Sequence, residues 1–129
     1  MKKAEIKELK EWLEQHKEEI GEENLKESGE SYLLEVYPEK LKNFMDQVKN
    51  TSGGLTLSRR EFELVLLSAN LALRNRVGIK VHTYGALKAG LTRKDILDAL
   101  FLVASAANHN IVVNVLTDLE AIIEGEKSK

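Results

Sequence analysis

Glu63-Leu-Val-Leu-Leu-Ser-Ala69 and Asn75-Arg-Val-Gly78-Ile-Lys-Val-His82-Thr-Tyr-Gly-Ala-Leu-Lys-Ala-Gly90-Leu-Thr92 are the stretches whose reading decides the fold. Apolar residues in them recur at three and four positions rather than two, the spacing of helices. Upstream, Thr51-Ser-Gly-Gly54 breaks the chain, and Ser58-Arg-Arg-Glu61 has the form of a capping box, Ser58 capping and Glu61 reaching back. The helix that starts there runs to about Leu73. Val65, Leu66, Leu67, Ala69, Leu71 and Ala72 make it apolar on most sides, which predicts burial all round. The next helix carries His82 and stops at Gly90. Positions 75, 78 and 82 follow i, i+3, i+7 spacing and so share one face. Glu63 sits on the preceding antiparallel helix among apolar neighbours, where a carboxylate needs a partner. His82 is the partner the spacing offers, directly or through a water.

The same periodicity extends in both directions. Thr92-Arg-Lys-Asp95 caps a helix running through Ala107, and Asn108-His-Asn110 breaks into a last helix that ends near Gly125. Ala99, Ala104, Ser105, Ala106 and Ala107 are small enough for close helix approach. Toward the amino terminus, Ala4 to Ile20 is predicted as a helix with Ile6, Leu9, Leu13 and Ile20 near heptad spacing, and Gly21 ends it. His16 falls at a d-like position of that seam, where packing is its expected role. Residues 22–30 are polar and read as a loop, and Ser31 to Val36 as a short helical turn. Pro38 opens a helix to about Asn50 that buries Leu41, Phe44, Met45 and Val48. The expectation is one all-α domain over residues 1–129, an antiparallel array of about six to seven helices. Residues 1–50 form an accessory half, and about 55–125 form the core.

Composition narrows the function classes. The chain has 129 residues, 43% hydrophobic and 31% charged, a globular balance with length enough for a real core. The net charge is −2 with acidic and basic residues interleaved, so a basic stripe for nucleic acid is missing. No apolar run approaches the roughly 18–20 residues that span a membrane. Met1-Lys-Lys-Ala-Glu-Ile-Lys has no apolar signal core, so a cytoplasmic location is expected. The sequence contains no cysteine, hence no disulfide, no thiolate nucleophile and no thiolate-ligated metal.

The central stretch resembles the carboxymuconolactone decarboxylase and AhpD-like (alkylhydroperoxidase D) family. Redox-active members of that family carry Glu, eleven residues, Cys, two residues, Cys, three residues, His. Glu63 and His82 fall in that register, with Asn75 and Gly78 at the two cysteine positions. The resemblance covers about residues 40–124 and is strongest from 58 to 92, through Gly90-Leu-Thr92 and the acidic helix start. It implies an AhpD-like helical array assembled as a homo-oligomer, a trimer or hexamer. The heptad seam of the first helix and the apolar core helices agree with assembly. In redox-active relatives the Glu, the His and a water relay protons to a cysteine. Alkylhydroperoxide reduction needs a thiol, and this sequence has none.

The decarboxylase branch implies a second chemistry. Its members release carbon dioxide from a lactone acid without metal or organic cofactor, so none is expected here. A developing carbanion must be stabilised and then protonated, work for a histidine beside a cation. Members of that branch carry Glu-Leu-Arg shortly before the histidine, and the matching stretch here is Gly78-Ile79-Lys80. Lys80 keeps the positive charge; Gly78 removes the acid and is expected to open space for a ligand. On this reading Glu63 and His82 are catalytic, with Asn75, Gly78, Lys80 and His109 binding a small organic acid. His109 stands at the break before the last helix, near a helix N-terminus suited to an anion. Tyr84 and Ser68 are further polar candidates. A metal held by Glu63, His82 and His109 has no support from compact ligand spacing. The competing readings are structural: a buried polar pair holding two helices in register, a capping or intersubunit His109, and a solvated Lys80. In that case the chain is a non-enzymatic oligomeric or ligand-binding protein on the same scaffold.

Overall fold

Caps and breakers set the helix boundaries in the computed structural model, which describes residues 1–127. Among these residues the chain forms eight α-helices. They are α1 (Lys3–Ile20), α2 (Glu22–Ser28), α3 (Glu30–Val36), α4 (Pro38–Ser52), α5 (Arg59–Leu73), α6 (Arg76–Lys88), α7 (Arg93–Ala106) and α8 (Asn110–Lys127). The all-α expectation is met. The count exceeds the expected six to seven because residues 22–30 are not a loop: Glu22–Ser28 is helical, between Gly21 (φ 93°) and Gly29 (φ 81°). Two glycines with positive φ punctuate the chain without stopping helix formation between them. Leu25 is the buried anchor of this short helix. A single apolar residue in a polar run leaves no periodicity to read.

The chain divides into two units, Met1–Thr56 and Leu57–Lys129. In the first, α1 packs against α2, α3 and α4. Its seam of Leu9, Trp12, Leu13, His16 and Ile20 is buried within this unit. Leu41 and Met45 of α4 are buried, whereas Phe44 is more exposed than its spacing suggests. Pro38 occupies the first turn of α4, where a missing N–H costs nothing.

In the second unit α5 and α6 form a hairpin joined by residues 74–75, and α7 and α8 pack on it. Ser58 and Thr92 are N-caps, each answered by an acid three residues on: Glu61 N–H donates to Ser58 Oγ, and Asp95 N–H donates to Thr92 Oγ1. Leu67, Leu71, Ile79, Ala86, Ile96, Leu100, Ile111, Leu119 and Ile123 fill the core. Helix α5 is not buried all round. Glu63, Leu67 and Leu71, four residues apart, face inward, while Val65 and Leu73 are exposed at 56% and 76%. Phe101, Leu102 and Val113 are also exposed. One copy of this unit has three helices to set against α5, too few to cover every side of it.

Among the described residues no helix is long and apolar enough to cross a membrane.

Candidate functional site

The α5–α6 hairpin brings Glu63 and His82 into contact across nineteen residues of sequence. His82 Nδ1 lies 3.0 Å from Glu63 Oε2. The other carboxylate oxygen, Oε1, forms an ion pair with the Arg59 guanidinium, Nη2 at 2.7 Å. Arg59 stands one helical turn before Glu63, so the ion pair is set by α5 alone. The guanidinium also rests over the Phe62 ring, 4.7 Å from its centroid. Glu63 is thus a buried carboxylate with a partner on each oxygen, one cationic and one imidazole. Its side chain is 3% exposed, that of His82 19% and that of Arg59 56%. The carboxylate is therefore deep, its counter-charge reaches solvent, and the histidine is intermediate in exposure.

The carboxylate fits because α6 has no side chain at position 85. Gly85 is buried and faces Glu63 so closely that any Cβ there would collide with the carboxylate. It follows His82 by three residues, so ring and gap lie on one face of α6. Opposite a carboxylate, which can only accept, the imidazole contact at Nδ1 calls for the Nδ1–H form, and Nε2 is the nitrogen this contact does not use. The constellation is therefore a carboxylate–imidazole pair held across two helices, with the Glu63 carboxylate orienting the His82 ring.

The remaining sequence candidates occupy other places. Asn75 precedes α6 as its N-cap, and its Oδ1 accepts from Gly78 N–H at 3.3 Å. Its backbone is extended (φ −81°, ψ 100°), so it stands at the entrance of the helix rather than inside it. The space beside Gly78 is filled rather than open: the Asn70 carboxamide occupies it, fixed by Nδ2 donating to Leu66 O at 2.8 Å. Lys80 lines a groove between α6 and α8 whose lining includes neither Glu63 nor His82. His109 is exposed in the turn between α7 and α8. Ser68 and Tyr84 are half-buried, Tyr84 with Lys88 Nζ 5.9 Å from its ring centroid. Thr83, beside His82, is fully buried, and its Oγ1 has no hydrogen-bond partner.

Arg59 and Gly85 are the members that sequence reasoning passed over. Arg59 was legible as a cation four residues before the acid, but Ser58-Arg-Arg60 reads first as a helix opening. Gly85 was legible as the gap one turn after His82. Among the described residues no three His, Asp or Glu side chains are grouped to hold a metal.

A family model described as the carboxymuconolactone decarboxylase family matches residues 39–117, a span that includes Arg59, Glu63, His82 and Gly85. No curated protein and no solved structure shows significant similarity to the chain. With the family model covering more than half of its length, the chain belongs to the carboxymuconolactone decarboxylase family.

Proposed function

We propose that this protein is a cofactor-free lyase that removes carbon dioxide from a small organic acid or lactone acid, with His82 as general acid/base and Glu63 as its orienting carboxylate. The observation that carries this reading is the 3.0 Å Nδ1–Oε2 contact combined with the Arg59 ion pair on the opposite oxygen. Glu63 orients the His82 ring through its Nδ1 contact, so that Nε2 is the nitrogen turned to the substrate. When the bond to the leaving carboxylate breaks, its electron pair moves onto the adjacent carbon, which a neighbouring carbonyl holds as an enolate. Imidazolium Nε2–H then protonates that carbon, and the next substrate or water returns the proton. Of the expected substrate-binding residues, His109 remains in the proposal as an anion-binding group, whereas Asn75 is spent on capping Gly78 N–H, Gly78 is backed by Asn70, and Lys80 lines the separate α6–α8 groove. Assembly into a trimer or hexamer, which would cover Val65, Leu73, Phe101, Leu102 and Val113, is part of it too, as is a cytoplasmic location.

Glu63→Gln and His82→Asn proteins, screened with the parent against lactone acids and dicarboxylic acids for carbon dioxide release, test the assignment. Both are expected to stay folded and to lose turnover by at least about a hundredfold, the scale of general acid/base catalysis. Parental turnover in both would sink it.

The near-complete burial of Glu63, with both oxygens engaged, favours one competing reading, a structural pair holding α5 to α6. In that case His82→Asn lowers the melting temperature and changes no ligand response.

A further inference from the structure

A groove of about 390 Å³ runs between α6 and α8, within the range of small-molecule sites. Ile79, Val115 and Ile122 supply apolar lining, and three cationic side chains, Arg74, Arg76 and Lys80, stand against a single carboxylate, Asp118. We propose that this groove is a binding site for a small amphipathic carboxylate, its acid head taken by Arg74 and Arg76 and its apolar body laid on Ile79, Val115 and Ile122.

The backbone at Arg74 is an independent reason to read the groove as built. Arg74 has φ 54° and ψ 37°, the one non-glycine residue of positive φ among the described residues. It ends α5, its N–H donating to Asn70 O and Leu71 O. Helices that end in this left-handed geometry use glycine or asparagine there by preference, because a Cβ is strained. An arginine at this corner keeps the strain and gains a guanidinium on the groove, the pattern of strain held at functional positions. Arg76 follows at the first position of α6, so two planar cations flank one turn. Paired guanidinium forks suit a carboxylate. The site lies apart from the proton-handling pair and does not depend on that pair being catalytic.

Sodium octanoate, 1-octanol and inorganic phosphate, titrated into full-length protein and followed by amide NMR and calorimetry, separate the contributions of head and body. Octanoate is expected to bind saturably and shift amides of residues 74–80 and 114–122, with octanol and phosphate each about tenfold weaker or more. Arg74→Gly relieves the backbone strain, so that protein should melt no lower than the parent while binding octanoate about tenfold more weakly. Arg76→Gln should weaken it similarly, and His82→Asn should leave octanoate binding unchanged. Equal affinity for octanoate and octanol overturns the proposal, as does parental binding by both arginine variants. Ligand-free shifts at these residues that grow with protein concentration would assign the groove to a second copy of the chain and overturn it as well.

Discussion

Gly85 and Glu63 are matched so tightly that a Cβ on Gly85 would stand 2.5 Å from the Glu63 carboxyl carbon. The carboxylate cannot swing away, because Arg59 holds one oxygen and His82 the other. Gly85→Ala is therefore expected to destabilise the protein by about 1–3 kcal/mol, the usual cost of overpacking, and to separate Glu63 from His82. Gly125→Ala is the control: its Cβ meets nothing within 4 Å, and helix propensity predicts a gain of roughly 0.5–1 kcal/mol. Chemical denaturation of the two variants, with the His82 imidazole NMR signals as a local probe, checks both signs. Equal behaviour of the two would show that Gly85 is not a designed gap.

Returning thiols to the two family positions should not restore a relaxed site. Asn75→Cys removes the N-cap acceptor for Gly78 N–H and is expected to cost about 0.5–2 kcal/mol. Gly78→Cys drives a Cβ to within 1.9 Å of Asn70 Oδ1. Asn70 is a side chain that can be removed, so Gly78→Cys with Asn70→Ala should be more stable than Gly78→Cys alone. Melting temperatures of the single and double variants decide the matter. A double variant no better than the single would mean that Asn70 is not what fills the gap.

These two gaps show where the sequence was readable and where it stopped. Capping at Ser58 and Thr92 and the 3.6-residue period of α5 to α8 are local signals, and the structure follows them. The Glu63–His82 contact was legible because a hairpin of two helices converts sequence spacing into a shared face. Helix α2 was not legible, since its one buried residue, Leu25, leaves no pattern. Full burial of α5 was overestimated for a related reason: apolar content counts how much surface can be covered, while partners decide how much is. Asn70 beside Gly78 was missed because the amide is drawn there by packing across the hairpin rather than by any motif.

Acid should weaken both capping boxes. Ser58 N–H donates to Glu61 Oε1 at 2.9 Å and Thr92 N–H to Asp95 Oδ2 at 2.8 Å, and these backbone hydrogen bonds hold both carboxyls below their ordinary values. The Arg93 guanidinium does the same for Glu120. A carboxyl whose folded pKa is depressed contributes stability above its unfolded value, about 4, and loses it as pH falls through the folded value. The Glu61→Gln/Asp95→Asn protein should melt below the parent at pH 7, and the gap should close toward pH 3. A gap constant over that range would mean that the caps do not titrate with folding.

The first unit holds a second acid–imidazole pair with opposite surroundings, and its behaviour under substitution should differ accordingly. His16 stacks on Trp12 with ring centroids 4.5 Å apart, and Phe44 meets both rings edge-on. His16 Nε2 lies 3.2 Å from Glu30 Oε2, near enough for an ion pair but not aligned for a hydrogen bond. His16 Nδ1 is likewise without a hydrogen-bond partner, the nearest acid being Glu19 Oε2 at 3.9 Å. Both side chains are buried, so neither recovers water for what it lacks. Removing one member strands the other: Glu30→Leu or His16→Phe alone is expected to cost about 1–3 kcal/mol. Replacing both keeps the aromatic stack on Trp12 and removes every unpaired polar atom of the pair, so His16→Phe/Glu30→Leu should be near neutral or stabilising. A denaturation cycle over the four proteins measures the coupling directly. Additive losses in the double variant would show that burial of each group, and not their pairing, governs this part of the fold.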